Sequence, residues 1–361
     1  MIITAIAAAA AIHAGCDLEK PSGAPGCRQE AVDALKLNDL QAVGTHNSYK
    51  QAIAPKQMAL LRAVDPKQAD GLDYAHPPLA AQLDAGARQV ELDLLHDPQG
   101  GRYASPLAMK MAPDLPYDLE PLRAPGMKVM HAQDVDYRSS CPRFTECLRQ
   151  IADWSKAHPD HLPVLVLLNL KEGGLKVPGA VDAPVFDAAA MDAVDAEIRS
   201  VFAERDLITP DGIQGDRASL REAVAAGAWP TLKAARGKVM FALDAPPEQV
   251  AVYRGQRRSL EGRAMFVNID ETSPAAGYIT LNEPQEQAPR IAAAVKAGII
   301  VRTRADADTV EARDGDTARR DAAFASGAQF VSTDYMSPDA RFGSYRVELP
   351  GGGVARPNPL R

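Results

Sequence analysis

Leu79-Ala-Ala-Gln-Leu-Asp-Ala-Gly-Ala-Arg-Gln-Val-Glu-Leu-Asp-Leu-Leu95 changes its period at a glycine. Before Gly86 the apolar residues recur at helical spacing. From Gln89 onward apolar and polar residues alternate with a period of two, the mark of a strand. Helix, tight turn and strand in that order form the repeating unit of an α/β protein. Glu91 and Asp93 lie two positions apart in that strand and so share one face. Two carboxylates on the inner face of a central strand are costly unless something cationic sits between them.

The same alternation extends outward in both directions. Apolar runs that read as strands fall at 41–45, 89–95, 127–131, 164–170, 238–243, 264–269, 299–303 and 329–332. Helical patterns fall at 79–87, 145–157, 191–204, 286–296 and 317–326, with Gly and Pro at many boundaries. This predicts one TIM-type (β/α)8 barrel over residues 16–349. The turn Val43-Gly-Thr-His46 is not GxGxxG, which argues against a dinucleotide-binding open sheet. Residues 97–125, rich in Pro, Met and Gly, read as a long insertion after the second strand. Barrel enzymes place their sites on the loops after the strands, so this insertion reads either as a segment beside the active site or as a decorative loop. Residues 350–361, Gly- and Pro-rich, read as a flexible tail.

Of the 361 residues 46% are hydrophobic and 24% charged, values that exclude a mainly disordered chain. Lys and Arg number 40 against 47 Asp and Glu, a net charge of −7. That balance excludes a non-specific nucleic-acid binder and argues against strong electrostatic docking on an anionic membrane. The apolar run 2–12 has the length of a signal-peptide core and falls well short of the ~20 residues a transmembrane helix needs. Residues 1–15 therefore read as a signal peptide, and the protein as secreted or periplasmic with no transmembrane segment. Lipoprotein anchoring at Cys16 is less favoured, because it would leave Cys27 unpaired. The four cysteines form two local pairs, and export favours the disulfides Cys16–Cys27 and Cys141–Cys147.

In a barrel, chemistry is sought at the C-terminal ends of the strands. His46 and Asn47 follow the first strand, Glu91 and Asp93 lie in the second, and His131 ends the third. Asn169 and Lys171 share a face of the fourth, and Arg302 and Arg304 a face at the end of the seventh. Asn and carboxylate oxygens suit a hard cation, Ca2+ or Mg2+. A hard cation with two histidines and nearby Lys or Arg suits phosphoryl transfer. Lys171 and Arg304 read either as phosphate contacts or as ion-pair partners of Glu91 and Asp93. His158 and His161 read as surface groups, Trp154 as core.

Gly44-Thr-His-Asn-Ser-Tyr49, the stretch 79–93, His131-Ala-Gln-Asp-Val-Asp-Tyr-Arg-Ser-Ser-Cys141 and Trp154-Ser-Lys-Ala-His-Pro159 resemble the phosphatidylinositol-specific phospholipase C superfamily, in its secreted, calcium-dependent bacterial branch. The resemblance is detailed from about residue 38 to 171 and weaker to Phe330-Val-Ser-Thr-Asp334. It implies His46 and His131 as catalytic residues and Asn47, Glu91 and Asp93 as Ca2+ ligands. The branch has a further acidic ligand where this chain has Asn169, which ligates through its carbonyl with one charge fewer. Lys171, Arg302 and Arg304 are the candidates for substrate phosphate or head group. The implied reaction cleaves a phosphatidylinositol-type diester to diacylglycerol and a cyclic or hydrolysed inositol phosphate, with transient contact at a membrane surface. An inositol hydroxyl attacks phosphorus, a carboxylate accepts its proton, His131 protonates the leaving oxygen and His46 stabilises the phosphorane. The alternative is a glycerophosphodiester phosphodiesterase-like enzyme acting on soluble diesters. A catalytically dead binding barrel ranks last, because both histidines are present.

Overall fold

A computed structural model describes residues 12–361. Most of the apolar run behind the signal-peptide expectation, residues 1–11, lies outside the described residues. Eight parallel strands form the wall: β1 (Leu40–Thr45), β2 (Gln89–Leu95), β3 (Val164–Leu170), β4 (Val239–Leu243), β5 (Met265–Val267), β6 (Tyr278–Thr280), β7 (Ile300–Arg304) and β8 (Phe330–Thr333). Each pairs with the next, β5 meets β6 through the single bridge Asn268↔Tyr278, and β8 returns to β1. The curled parallel sheet with its helices is the expected TIM-type barrel.

Wall strands buried on both faces read as continuous apolar runs, and Val-Leu-Val-Leu-Leu-Asn-Leu in β3 does so. Outside them pack amphipathic helices. Phe144–Ala157 turns Phe144, Cys147, Leu148, Ile151 and Trp154 inward, and Trp154 Nε1–H donates to Asp84 Oδ1 at 2.7 Å. Gly44 is needed where β1 approaches β2. A Cβ there would stand 2.3 Å from Gln89 Oε1 and 2.7 Å from the Gln89 carbonyl oxygen.

Two strand expectations change. The run at 127–131 forms only Lys128–Val129, antiparallel to the end of β2, with Leu94 opposite Val129. It lies outside the wall. β1 touches β2 only at Gly44↔Gln89, so the far end of β2 keeps an open edge that this ribbon fills. The missing wall strand is β6, whose three residues are too few to show a period. The expected loose tail is also corrected. Ala355–Pro357 pairs antiparallel with β1, and the buried Asn358 side chain donates to the carbonyls of Leu40 and Gly327. Both disulfides, Cys16–Cys27 and Cys141–Cys147, are formed. His161, expected at the surface, is buried with Nε2 2.7 Å from Ser155 Oγ.

Residues 97–125 carry a short helix, Leu107–Met111, and a 3-10 turn, Glu120–Arg123. They build a small core of their own from Tyr103, Ala108 and Leu122 against Leu95, Met130 and Tyr137. They lean on the loop after His131, where Leu107 N–H donates to Asp134 Oδ1 at 3.0 Å.

Candidate active site

The C-terminal ends of the strands converge as the barrel rule requires, and His46 and His131 line one cleft of about 950 Å³. Its walls come from residues 65–74 after β1 and 308–314 after β7. The segment 97–125 does not line this cleft.

His46 leaves β1 with its backbone N–H on the Thr333 carbonyl. Its Nδ1 lies 2.9 Å from Asp334 Oδ1, at the end of β8, and 3.3 Å from both Tyr74 Oη and Arg304 Nη2. Nε2 faces Glu91, 3.7 Å from Oε1. Burial, then the Arg304 charge, lowers the pKa of His46, against the pull of Asp334 and Glu91. Burial would raise Asp334, but His46, His76 and Arg304 hold it well below the ordinary carboxylate range. An ionised Asp334 against Nδ1 selects the tautomer with the proton on Nδ1 and the lone pair on Nε2. Behind this pair Asp306 accepts from Thr333 Oγ1, Tyr345 Oη and the Asp334 N–H. Burial and the neighbouring Asp334 charge push its pKa up to about 7.

His131 has the same construction. Its Nδ1 lies 3.1 Å from Asp136 Oδ2, and the ring is about a quarter exposed in the cleft. Burial would raise Asp136, but Lys50 and His131 bring its pKa below the usual value.

Glu91 and Asp93 point into the barrel mouth as their spacing requires. Glu91 Oε2 accepts from Arg302 Nη2 at 2.6 Å, and Oε1 from Asn169 Nδ2 at 2.7 Å. Asp93 Oδ2 lies 2.9 Å from Lys171 Nζ. Burial alone would lower the pKa of Lys171, and the Asp93 charge outweighs it and raises it. Arg302 is 1% exposed and also donates to Asn282 Oδ1, so it is an internal partner of Glu91. Arg304 serves Asp334, 3.5 Å away. Lys171 pairs with Asp93 and Arg304 with Asp334, and Arg302 takes the place beside Glu91.

Asn47 adopts a left-handed backbone, φ 45°, which Asn tolerates better than most residues. This turns Nδ2 to Tyr74 Oη at 2.8 Å and leaves Oδ1 only the Tyr49 hydroxyl at 3.4 Å. Among the described residues no three His, Cys, Asp or Glu side chains are gathered as a metal cage. Glu91 and Asp93 pair with Arg302 and Lys171. The donor chemistry still fits Ca2+: Asn47, Glu91, Asp93 and Asn169 offer oxygen, and buried Asp93 Oδ1 lacks any hydrogen-bond donor.

Asp334 and Asp136, the carboxylates against the two histidines, were not singled out by sequence reasoning. Asp334 had a readable signal, because it directly follows a wall strand. Asp136, five residues beyond His131 in an irregular loop, had none. Asp244, just after β4, was missed too. It accepts from Asn268 Nδ2 at 2.8 Å, and burial raises its pKa.

Residues 35–359 match the model of a family described as phosphoinositide phospholipase C, Ca2+-dependent. No curated protein sequence matches. Among solved structures the chain is similar to a calcium-dependent phosphoinositol-specific phospholipase C from a Pseudomonas species, in its myo-inositol complex. Identity is 16%, coverage 90% of this chain and 96% of that one, and the TM-score 0.55. It is also similar to a Ca2+-dependent phosphatidylinositol-specific phospholipase C from Streptomyces antibioticus, at 19% identity, 83% and 95% coverage and a TM-score of 0.52. Those structures share the fold, and the family match spans almost the whole described chain: this protein belongs to the Ca2+-dependent phosphoinositide phospholipase C family, enzymes that cleave phosphodiesters.

Proposed function

We propose that the protein cleaves phosphatidylinositol at a lipid surface, releasing diacylglycerol and a cyclic inositol phosphate. The observation that carries the roles is the pair of histidines in one cleft, each held at Nδ1 by a buried carboxylate. Asn47, Glu91, Asp93 and Asn169 would hold Ca2+, which would supply positive charge to the phosphate and the attacking hydroxyl. Within the chain, Glu91 and Asp93 are tied to Arg302 and Lys171 and make poor bases. His46, with its proton on Nδ1, presents the Nε2 lone pair and accepts the hydroxyl proton. The imidazolium so formed stands beside the phosphorane and is balanced by Asp334. His131 donates its Nε2 proton to the departing glycerol oxygen, and Asp136 holds its other nitrogen. The sequence expectation gave the base role to a carboxylate, and the ion pairs favour His46.

Contact with lipid is proposed through exposed apolar side chains at the two ends of the helix Pro55–Val64, one end of which adjoins the cleft. Val64 is 79% exposed at the end of the helix Pro55–Val64, next to cleft residues Asp65 and Pro66. Met111 and Leu115 lie near the other end of that helix, where Lys56 N–H donates to Asp114 Oδ2. Tyr103, in the same segment 97–125, is buried and plays no part. No helix among the described residues is long and apolar enough to cross a membrane. Export to the periplasm or medium is proposed from the N-terminal sequence and the two disulfides.

Activity on phosphatidylinositol vesicles and on a soluble glycerophosphodiester tests the reading, with Val64→Ser/Met111→Ser as the probe. Burying one such side chain contributes about 1.5–3 kcal/mol, so the double variant should lose roughly 10-fold or more on vesicles and little on a soluble inositol diester. Preference of the wild type for the soluble glycerol diester would favour the glycerophosphodiesterase reading, which the family match does not favour.

A further inference from the structure

Lys50 and Asp136 form an ion pair whose two side chains are both wholly buried, Nζ to Oδ1 3.2 Å. Lys50 lies four residues after His46, and Asp136 five after His131. The pair joins the loops that carry the two histidines. Backbone contacts zip those loops together: Lys50 bridges Ser139, Gln51 N–H donates to the Arg138 carbonyl and Ser140 N–H to the Tyr49 carbonyl. Lys50 Nζ also stands 4.9 Å over the Tyr74 ring, whose hydroxyl reaches His46. A buried ion pair is weak evidence for stability, since apolar side chains of like volume often serve as well. Its placement between the two histidines gives it another use.

We propose that the Lys50–Asp136 pair is a positioning device for His131, orienting the ring toward the cleft. This rests on the reading that His131 protonates the leaving oxygen. Asp136 Oδ2 accepts the Nδ1 proton and so aims Nε2 at the cleft. Lys50 on Oδ1 holds the carboxylate in that orientation. In the step itself the P–O bond to glycerol breaks, and its electron pair goes to the leaving oxygen. That oxygen takes the Nε2 proton. The Nδ1 proton stays, His131 ends neutral in the tautomer already selected, and Asp136 and Lys50 remain charged.

The test compares Asp136→Asn with wild type on phosphatidylinositol and on an aryl inositol phosphate diester, whose low-pKa phenol leaves without protonation. A general acid supplies about 10²–10⁴-fold. Losing its orientation should cost about 10–100-fold in kcat/KM on the lipid and less than about 3-fold on the aryl diester. Added to His131→Ala, the change should cause no further loss on either substrate. Asp136→Asn leaves Lys50 unpaired in the interior, so Lys50→Met/Asp136→Asn, which leaves no buried charge, is assayed beside it and should show the same selective defect. Equal losses on both substrates in the double variant, or full additivity with His131→Ala, overturn the proposal. If His131→Ala itself shows no dependence on the leaving group, the reading of His131 falls, a different outcome read from a different variant.

Discussion

His131→Ala should lose most of its activity on phosphatidylinositol and recover much of it on an aryl diester, while His46→Ala should stay impaired on both. The expectation follows from what each ring faces. His131 is about a quarter exposed in the cleft and, in the proposed roles, meets the leaving oxygen, where protonation matters most for a poor alkoxide such as diacylglycerol. Removing a general acid costs about 10²–10⁴-fold there and little for a phenol. In the same proposed roles His46 serves the attacking side, with Nε2 toward Glu91 and Asp334 behind it. Proton removal and phosphorane charge are needed whatever departs. Equal defects of both variants on both substrates would sink the division of roles. Rescue of His46→Ala alone would reverse the assignment.

The second large effect is expected at the carboxylates. Asp93→Asn should lower activity by orders of magnitude and weaken Ca2+ binding at least about tenfold in a calorimetric titration, because a hard-cation site depends on ligand charge. Asp93 is the cleaner of the two positions. Its partner Lys171 has a side chain 35% exposed, so freed of Asp93 it still finds water. Glu91→Gln removes the charge facing Arg302, whose side chain is 2% exposed. Breaking a buried pair costs about 3–5 kcal/mol when one charge is left alone. The Gln carbonyl still accepts one hydrogen bond, which reduces that penalty. Loss of activity in Glu91→Gln therefore needs a thermal melt beside it. Unchanged Ca2+ affinity in a folded Asp93→Asn would remove Asp93 from the ligand set.

The parts of the molecule legible in the sequence were those governed by short-range periodicity. Alternation in β2 placed Glu91 and Asp93 on one face, and the strand-end rule singled out His46, Asn47, Asn169 and Arg304 as candidates. What was not legible depended on geometry between distant segments. β6 is three residues long and is held by its neighbours, not by its own pattern. The ribbon at Lys128–Val129 has a strand-like composition but pairs antiparallel, because an open edge of β2 happens to lie beside it. The tail is Gly- and Pro-rich, yet Ala355–Pro357 finds the free side of β1. Cations were hardest to place. Arg302 and Arg304 share a strand face, but one is sealed against Glu91 and the other lies against His46 and Asp334, a distinction set by which carboxylate each can reach.

The most direct check of the account is a phosphorus NMR time course of the wild-type enzyme on phosphatidylinositol, run with Ca2+ and with excess chelator. The account predicts a cyclic inositol phosphate signal that grows with Ca2+ and is absent with chelator. A glycerophosphoinositol or phosphatidic acid product, or the same turnover in chelator, would contradict it.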